Sequence, residues 1–98
     1  MLIVLWEYDA RPGLDDAFEQ LYGAQGEWAA LFREHDGFVS TELLRADRPH
    51  RYLSIDRWES ESAYQAFLAA ASARYAQIDA RGDALTTDER RIGRYVTC

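Results

Sequence analysis

The sequence predicts an α+β fold, with helices on one face of an antiparallel sheet. Three observations carry that expectation. Segments of strand composition at residues 2–8, 38–46, 51–58 and 92–97 are interleaved with two long segments whose apolar residues recur at helical spacing. Their order is strand, helix, strand, strand, helix, strand, the split βαβ pattern of ferredoxin-like domains. The two middle strands are separated only by Asp47-Arg48-Pro49-His50, a polar turn whose proline stops the strand, so they pair as a hairpin.

Each element has its own local reason. The first strand, Leu2-Ile3-Val4-Leu5-Trp6-Glu7-Tyr8, is β-branched and aromatic and ends at Arg11-Pro12-Gly13. The first helix opens at Leu14. It carries Leu14, Ala17, Phe18, Leu21, Trp28, Leu31 and Phe32 on one stripe, with Asp15 and Asp16 at its positive end. Gly23 and Gly26 interrupt it, which predicts a kink or two pieces, since each glycine costs about 1 kcal/mol against alanine. Ser60 is a candidate N-cap for the second helix, which places Ala63, Tyr64, Phe67, Leu68, Ala71, Tyr75 and Ile78 along one side. Arg81-Gly82-Asp83 is the expected end or bend, and Ile92 to Thr97 the last strand.

Alternation divides the third strand into two sets. Leu53 and Ile55 suit a dry core under the helices. Tyr52, Ser54, Asp56 and Trp58 point the other way, and that set suits a half-wet cavity or a subunit interface. The first strand is apolar on both faces, which predicts burial of both sheet faces and hence a homodimer.

Composition excludes several function classes. The 98 residues make one domain, 1–98, of which 48% are hydrophobic and 13% aromatic. A domain of this size buries only about 60–65% of its unfolded surface, so a partner subunit would help it. Seventeen acidic against 11 basic residues give a net charge of -6, with no basic run to meet phosphates, so neither nucleic acid nor an anionic membrane is an expected partner. The apolar run Leu2 to Trp6 is far too short to span a bilayer, no signal peptide is evident, and the expected location is the cytoplasm. A single cysteine, Cys98, rules out an internal disulfide and a four-cysteine zinc site. No His, Asp or Glu group has metal-ligand spacing, so no metal is expected. All 11 basic residues are arginine, and neither lysine nor asparagine occurs. A Schiff-base lysine, a P-loop lysine and an asparagine oxyanion donor are therefore impossible.

The segments Arg11-Pro12-Gly13, Tyr22-Gly23, Leu31-Phe32-Arg33, Gly37-Phe38 and Thr41-Glu42-Leu43-Leu44-Arg45, with Phe18 and Trp28 between them, resemble the antibiotic biosynthesis monooxygenase family. Pro49, Arg51-Tyr52-Leu53, Ile55-Asp56 and Trp58-Glu59-Ser60 are the most specific stretch, followed by Tyr64, Phe67, Ile92-Gly93 and Tyr95. The resemblance spans almost the whole chain. It implies ferredoxin-like domains that pair sheet against sheet into a dimeric α/β barrel. It also implies cofactor-independent oxygenation of phenols, quinols or polyketide-like aromatics, in which the deprotonated substrate itself reacts with dioxygen and no cofactor is expected. The family's tryptophan at the end of the third strand matches Trp58, and its tyrosine just inside the following helix matches Tyr64. Its asparagine four residues before that tryptophan is Ser54 here. The histidine ligand and the asparagine of haem-degrading members have no counterpart, because His35 and His50 both lie near loop ends.

Asp56 and Ser54 are the catalytic candidates. Asp56 facing a cavity would be raised by burial into the range of a useful base, whereas a salt bridge to Arg51, Arg57 or a partner's arginine would make it structural. Ser54 can donate one hydrogen bond to a substrate oxygen. Trp58, Tyr52, Tyr64 and Trp6 are the substrate-binding candidates, against the alternative that Trp58 packs a core or interface and that the tyrosines bury a ring and bond once. Three functional readings follow: a cofactor-independent monooxygenase of a small aromatic, a non-catalytic protein holding a small hydrophobic ligand in the same cavity, and a sheet face that serves dimerisation alone.

Overall fold

The computed structural model describes all 98 residues. Its elements are β1 (Leu2–Ala10), α1 (Asp15–Tyr22), α2 (Glu27–Arg33), β2 (Phe38–Arg45), β3 (Arg51–Trp58), α3 (Glu61–Ala70), α4 (Ser72–Leu85) and β4 (Thr86–Val96). The strands form one antiparallel sheet in the order β2-β3-β1-β4, the ferredoxin-like arrangement. No helix is long and apolar enough to cross a membrane.

The helices cover one face of the sheet. Leu2, Val4, Tyr8 and Ala10 of β1 and Tyr52 and Trp58 of β3 join Phe18, Leu21, Leu31, Phe32, Phe67 and Ile78 in a single buried cluster. This reverses one expectation. Tyr52, Ser54, Asp56 and Trp58 point toward the helices, while Leu53 and Ile55, half-buried, lie on the uncovered face. Register explains why the sets move together: Leu2, Val4, Trp6 and Tyr8 stand opposite Trp58, Asp56, Ser54 and Tyr52, so each pair shares a face.

The helical segments are each broken once. Gly23–Gly26 separates α1 from α2, as the glycines predict. A Cβ on Gly26 would lie 2.6 Å from the carbonyl oxygens of Gln20 and Leu21, so only glycine allows the chain to turn back there. The second break, at Ala71, has no residue of low helix propensity behind it. Ala71 N–H still donates to the Phe67 carbonyl, and the bend lets Phe67 and Tyr75 border the same cavity. Ser60 caps α3 as expected, its hydroxyl accepting from Ala63 N–H at 3.1 Å.

Two boundaries differ from the sequence reading. Helix α4 passes through Gly82 to Leu85, because Gly82 does not break the helix but makes room for Tyr22, whose hydroxyl oxygen would sit 2.1 Å from a Cβ there. Strand β4 then starts at Thr86 rather than Ile92. Its first half, Thr-Thr-Asp-Glu-Arg-Arg, lacks strand-like apolar residues because β4 is an edge strand. It is held by its ladder to β1 and by Arg90, which pairs with Glu7 at 2.9 Å and with Asp9 at 3.1 Å.

Candidate functional site

A cavity of about 50 Å³ lies between the sheet and the helices, open at one side. Its floor comes from the inward faces of the central strands, with Trp6 and Tyr8 from β1 and Ser54 and Asp56 from β3. Its walls are aromatic, with Phe32 from α2, Tyr64 and Phe67 from α3 and Tyr75 from α4. The cavity is therefore internal to one chain rather than enclosed between two sheets. That volume admits a few waters, each needing about 10–15 Å³ on this measure. A substituted aromatic ring needs more room, so its access requires the half-buried Tyr64 and Tyr75 rings to rotate.

Asp56 is the chemically distinctive group. The hairpin places Thr41 of β2 directly across from it, and the Thr41 hydroxyl donates to the Asp56 carboxylate at 2.5 Å. No arginine pairs with it: Arg51 bonds Asp9 at 2.9 Å on the opposite face, and Arg57 bonds Glu42. The salt-bridge alternative is thus not what the fold builds. Desolvation raises the carboxyl from its ordinary 3.8 to about 6, with the Thr41 hydrogen bond holding back part of the rise. The residue is half-buried and lines the cavity. The group is therefore an acceptor at neutral pH and can hold a proton with little penalty.

The phenols around it are poor bases. Burial pushes Tyr8 and Tyr22 far above the ordinary tyrosine value, and Tyr75 up to about 12. Tyr64 is raised by burial first and by the Asp56 charge second, while Arg94, whose guanidinium lies 5.2 Å from the centre of the Tyr64 ring, opposes the rise. These rings stay neutral and offer O–H donors to a substrate oxygen.

Four of the six candidate site residues therefore come together: Asp56, Ser54, Tyr64 and Trp6 all line the cavity. The other two do not. Trp58 is fully buried behind the wall, with its ring centre 5.0 to 5.7 Å from those of Phe67, Phe38, Phe32 and Tyr64. Tyr52 sits toward the other end of β3, its hydroxyl donating to Glu19 at 2.6 Å and Asp15 at 3.1 Å. Both face the helices, but neighbouring rings or carboxylates fill the space before the cavity reaches them.

Sequence reasoning missed Thr41, Tyr75, Asp79 and Glu89. Thr41 was discoverable, because a hairpin turning at 47–50 sets residue 41 opposite residue 56. Tyr75, Asp79 and Asp83 recur at four-residue spacing on one helix face, a pattern visible in the sequence but without a meaning until β4 brings Glu89 beside them. Carboxylate oxygens of Asp79, Asp83 and Glu89 lie within 4.8 Å of one another at the cavity mouth.

The architecture is a helix-covered antiparallel sheet of the ferredoxin-like class, with an aromatic cavity floored by a half-buried carboxylate. The antibiotic biosynthesis monooxygenase family model matches residues 1–78, and the chain belongs to that family. No curated protein sequence matches it. Among solved structures, an asparagine-to-alanine variant of SnoaB, a cofactor-independent oxygenase from Streptomyces nogalater, is 23% identical. The match covers 98% of this chain and 91% of that one, with a TM-score of 0.79. The ActVA-Orf6 monooxygenase of Streptomyces coelicolor in complex with nanaomycin D is 19% identical over 99% of this chain and 87% of that one, with a TM-score of 0.79. An antibiotic biosynthesis monooxygenase family protein from Deinococcus radiodurans is 20% identical over 100% and 93%, again with a TM-score of 0.79. At these identities the likeness concerns the fold.

Proposed function

We propose that this protein is a cofactor-independent monooxygenase of a small electron-rich aromatic, with Asp56 as its general base. The observation that carries the reading is the Asp56 carboxylate, free of any arginine and held by Thr41 on the floor of an aromatic cavity. A base with a value of about 6 is ionised at neutral pH yet close enough to it to accept and return a proton. Ser54 and Tyr64 supply hydroxyl donors toward a substrate oxygen that gains negative charge.

The chemistry balances without a further reactant. Asp56 takes a proton from the phenol, quinol or activated methylene. The resulting carbanion or phenolate is the reductant and dioxygen the oxidant. A carbon–oxygen bond forms and the proton returns to give a hydroperoxide; the remaining hydrogen on that carbon then leaves as a proton, its electron pair forms the carbonyl as the O–O bond breaks, and the departing hydroxide takes up a proton to leave as water. Family membership and the two Streptomyces oxygenases of the same fold support this reading.

The test is oxygen uptake by metal-stripped protein with a panel of phenols, anthrones and quinols. Uptake above autoxidation that falls about 10²–10⁴-fold in Asp56→Asn is the expected result. Ligand binding without uptake on any of them would favour the second reading, a binding protein for a small aromatic, and would overturn the enzymatic one.

The homodimer belongs to the same proposal. The uncovered sheet face presents a strip of Ile3, Leu5, Leu53 and Ile55 with Leu44, 44% exposed, beside it and the ion pairs of Glu7, Asp9, Arg51 and Arg90 at its edge. An apolar strip bordered by charges suits a second copy packed face to face. The expected setting is the cytoplasm.

A further inference from the structure

Strand β4 turns two guanidinium side chains toward the helix-covered face. Arg94 stands opposite Val4, a buried residue of that face. The β1–β4 ladder then shifts register: Leu5 pairs with Gly93 and Trp6 with Arg91, which leaves Ile92 as an extra residue. Without that bulge, alternation from Arg94 would set Ile92 opposite the cavity-lining Trp6 and Arg91 on the other face. Bulges re-aim side chains, and this one brings a second arginine beside the first while leaving Ile92 45% exposed.

Neither arginine has its full set of partners. Arg94 pairs with Glu61 through one terminal nitrogen and lies over the Tyr64 ring, but its Nε–H is buried with no acceptor. Arg91 makes no ion pair, in a chain where seven other arginines do. Buried donors without partners are costly, and an oxygen acceptor would satisfy this one. The two ends of the cavity also differ in charge. Burial raises both the Tyr64 and the Tyr75 phenols; Arg94 and Arg91 oppose the rise at Tyr64, whereas Asp79 and Glu89 add to it at Tyr75.

We propose that the cavity takes aromatic ligands bearing a carboxylate, which Arg94 and Arg91 hold at the Tyr64 end while the phenolic ring reaches inward toward Asp56. The inference rests on the reading of this cavity as a substrate site. Asp56, Val4 and Arg94 form one row across β3, β1 and β4, so Asp56 and Arg94 stand two strand spacings apart, about 10 Å. That is the scale of a benzene ring with a polar group at each end. Entry of the ring turns Tyr64 aside, which takes from Arg94 its aromatic partner and uncovers the Nε–H. A carboxylate then replaces that partner and supplies a charge-assisted acceptor. Asp79 and Glu89 repel the anion from the other end, so the ligand is held in one orientation.

Two probes differ in that one charge: 3-(4-hydroxyphenyl)propionate and its methyl ester, each titrated calorimetrically into the full chain near neutral pH. The acid is expected to bind about tenfold more tightly than the ester, with an advantage that shrinks as salt is added. Arg94→Gln should bring the acid-to-ester ratio near one. Arg91→Gln, at an exposed position outside the core, should lower the ratio about threefold and keeps the test open if Arg94→Gln does not fold. Equal or weaker binding of the acid to the wild type, with the ester bound, would overturn the carboxylate preference and leave the aromatic cavity standing. A ratio unchanged in Arg91→Gln would overturn the two-arginine seat. Failure of both probes to bind would overturn the preference and the substrate-site reading together.

Discussion

Replacing Asp56 with asparagine should make the protein more stable and inactive at once. The folded chain raises this carboxyl from 3.8 to about 6. Two pH units at about 1.4 kcal/mol each give roughly 3 kcal/mol as the cost of keeping Asp56 ionised in the fold. The sign follows from proton binding. Because the folded value lies above the unfolded one, both states hold the proton below about pH 4 and the site costs nothing there. Between about pH 4 and pH 6 the unfolded chain gives up its proton first, so stability falls as pH rises, and above about pH 7 the full cost is present. Asparagine is nearly isosteric, stays neutral, and can still accept from the Thr41 hydroxyl. Urea unfolding of wild type and Asp56→Asn at matched protein concentration is the assay. The variant should gain up to about 3 kcal/mol near pH 8, on the order of 10 °C in midpoint temperature, and nothing near pH 4. Asp79 and Glu89 also sit above their ordinary values through burial, and they shift both proteins alike, so the difference between the curves isolates Asp56. An unchanged or weaker Asp56→Asn protein near pH 8, or a gain that persists near pH 4, would refute the reasoning.

Further outcomes follow from the same geometry. Thr41→Val removes the one hydrogen bond that favours the charged form of Asp56, so the acid limb of the pH–rate profile should move upward; a limb that stays or moves down removes Thr41 from the site. Gly82→Ala pushes a Cβ against the Tyr22 hydroxyl and should cost roughly 1–3 kcal/mol in chemical denaturation, most of it recovered when Tyr22→Phe is added. Ile55→Arg, on the uncovered sheet face, should shift the sedimenting species to a monomer; a variant that sediments like wild type would place any dimer contact elsewhere.

Much of the fold was legible because it is local. The alternation of β3, the hairpin at Pro49, the Ser60 cap and the glycine break after α1 each depend on a few neighbouring residues whose conformational preferences agree. The start of β4 was not legible, since Thr86 to Arg91 are polar and find their strand conformation only through the β1 ladder. The bend at Ala71 likewise answers to the core rather than to any residue there.

The candidate site divides in the same way. Sequence by itself determined that Ser54, Asp56 and Trp58 share one face of a strand, because side chains alternate with a period of two. It also excluded lysine, asparagine and disulfide chemistry by composition. Which face the helices cover was a tertiary decision. Periodicity sorts residues into two sets but does not say which set lies under the helices. Leu53 and Ile55 looked like the core, yet aromatic residues from β1, α1, α2 and α3 fill the covered side, and the aliphatic pair is left on the other. Alternation already turns Asp56 away from Arg51 and Arg57, but only that packing closes rings around Trp58 before the cavity reaches it and brings Asp79 and Glu89 to one mouth from elements that share no local pattern. Proximity between distant segments, and the desolvation that follows from it, exist only in the folded chain.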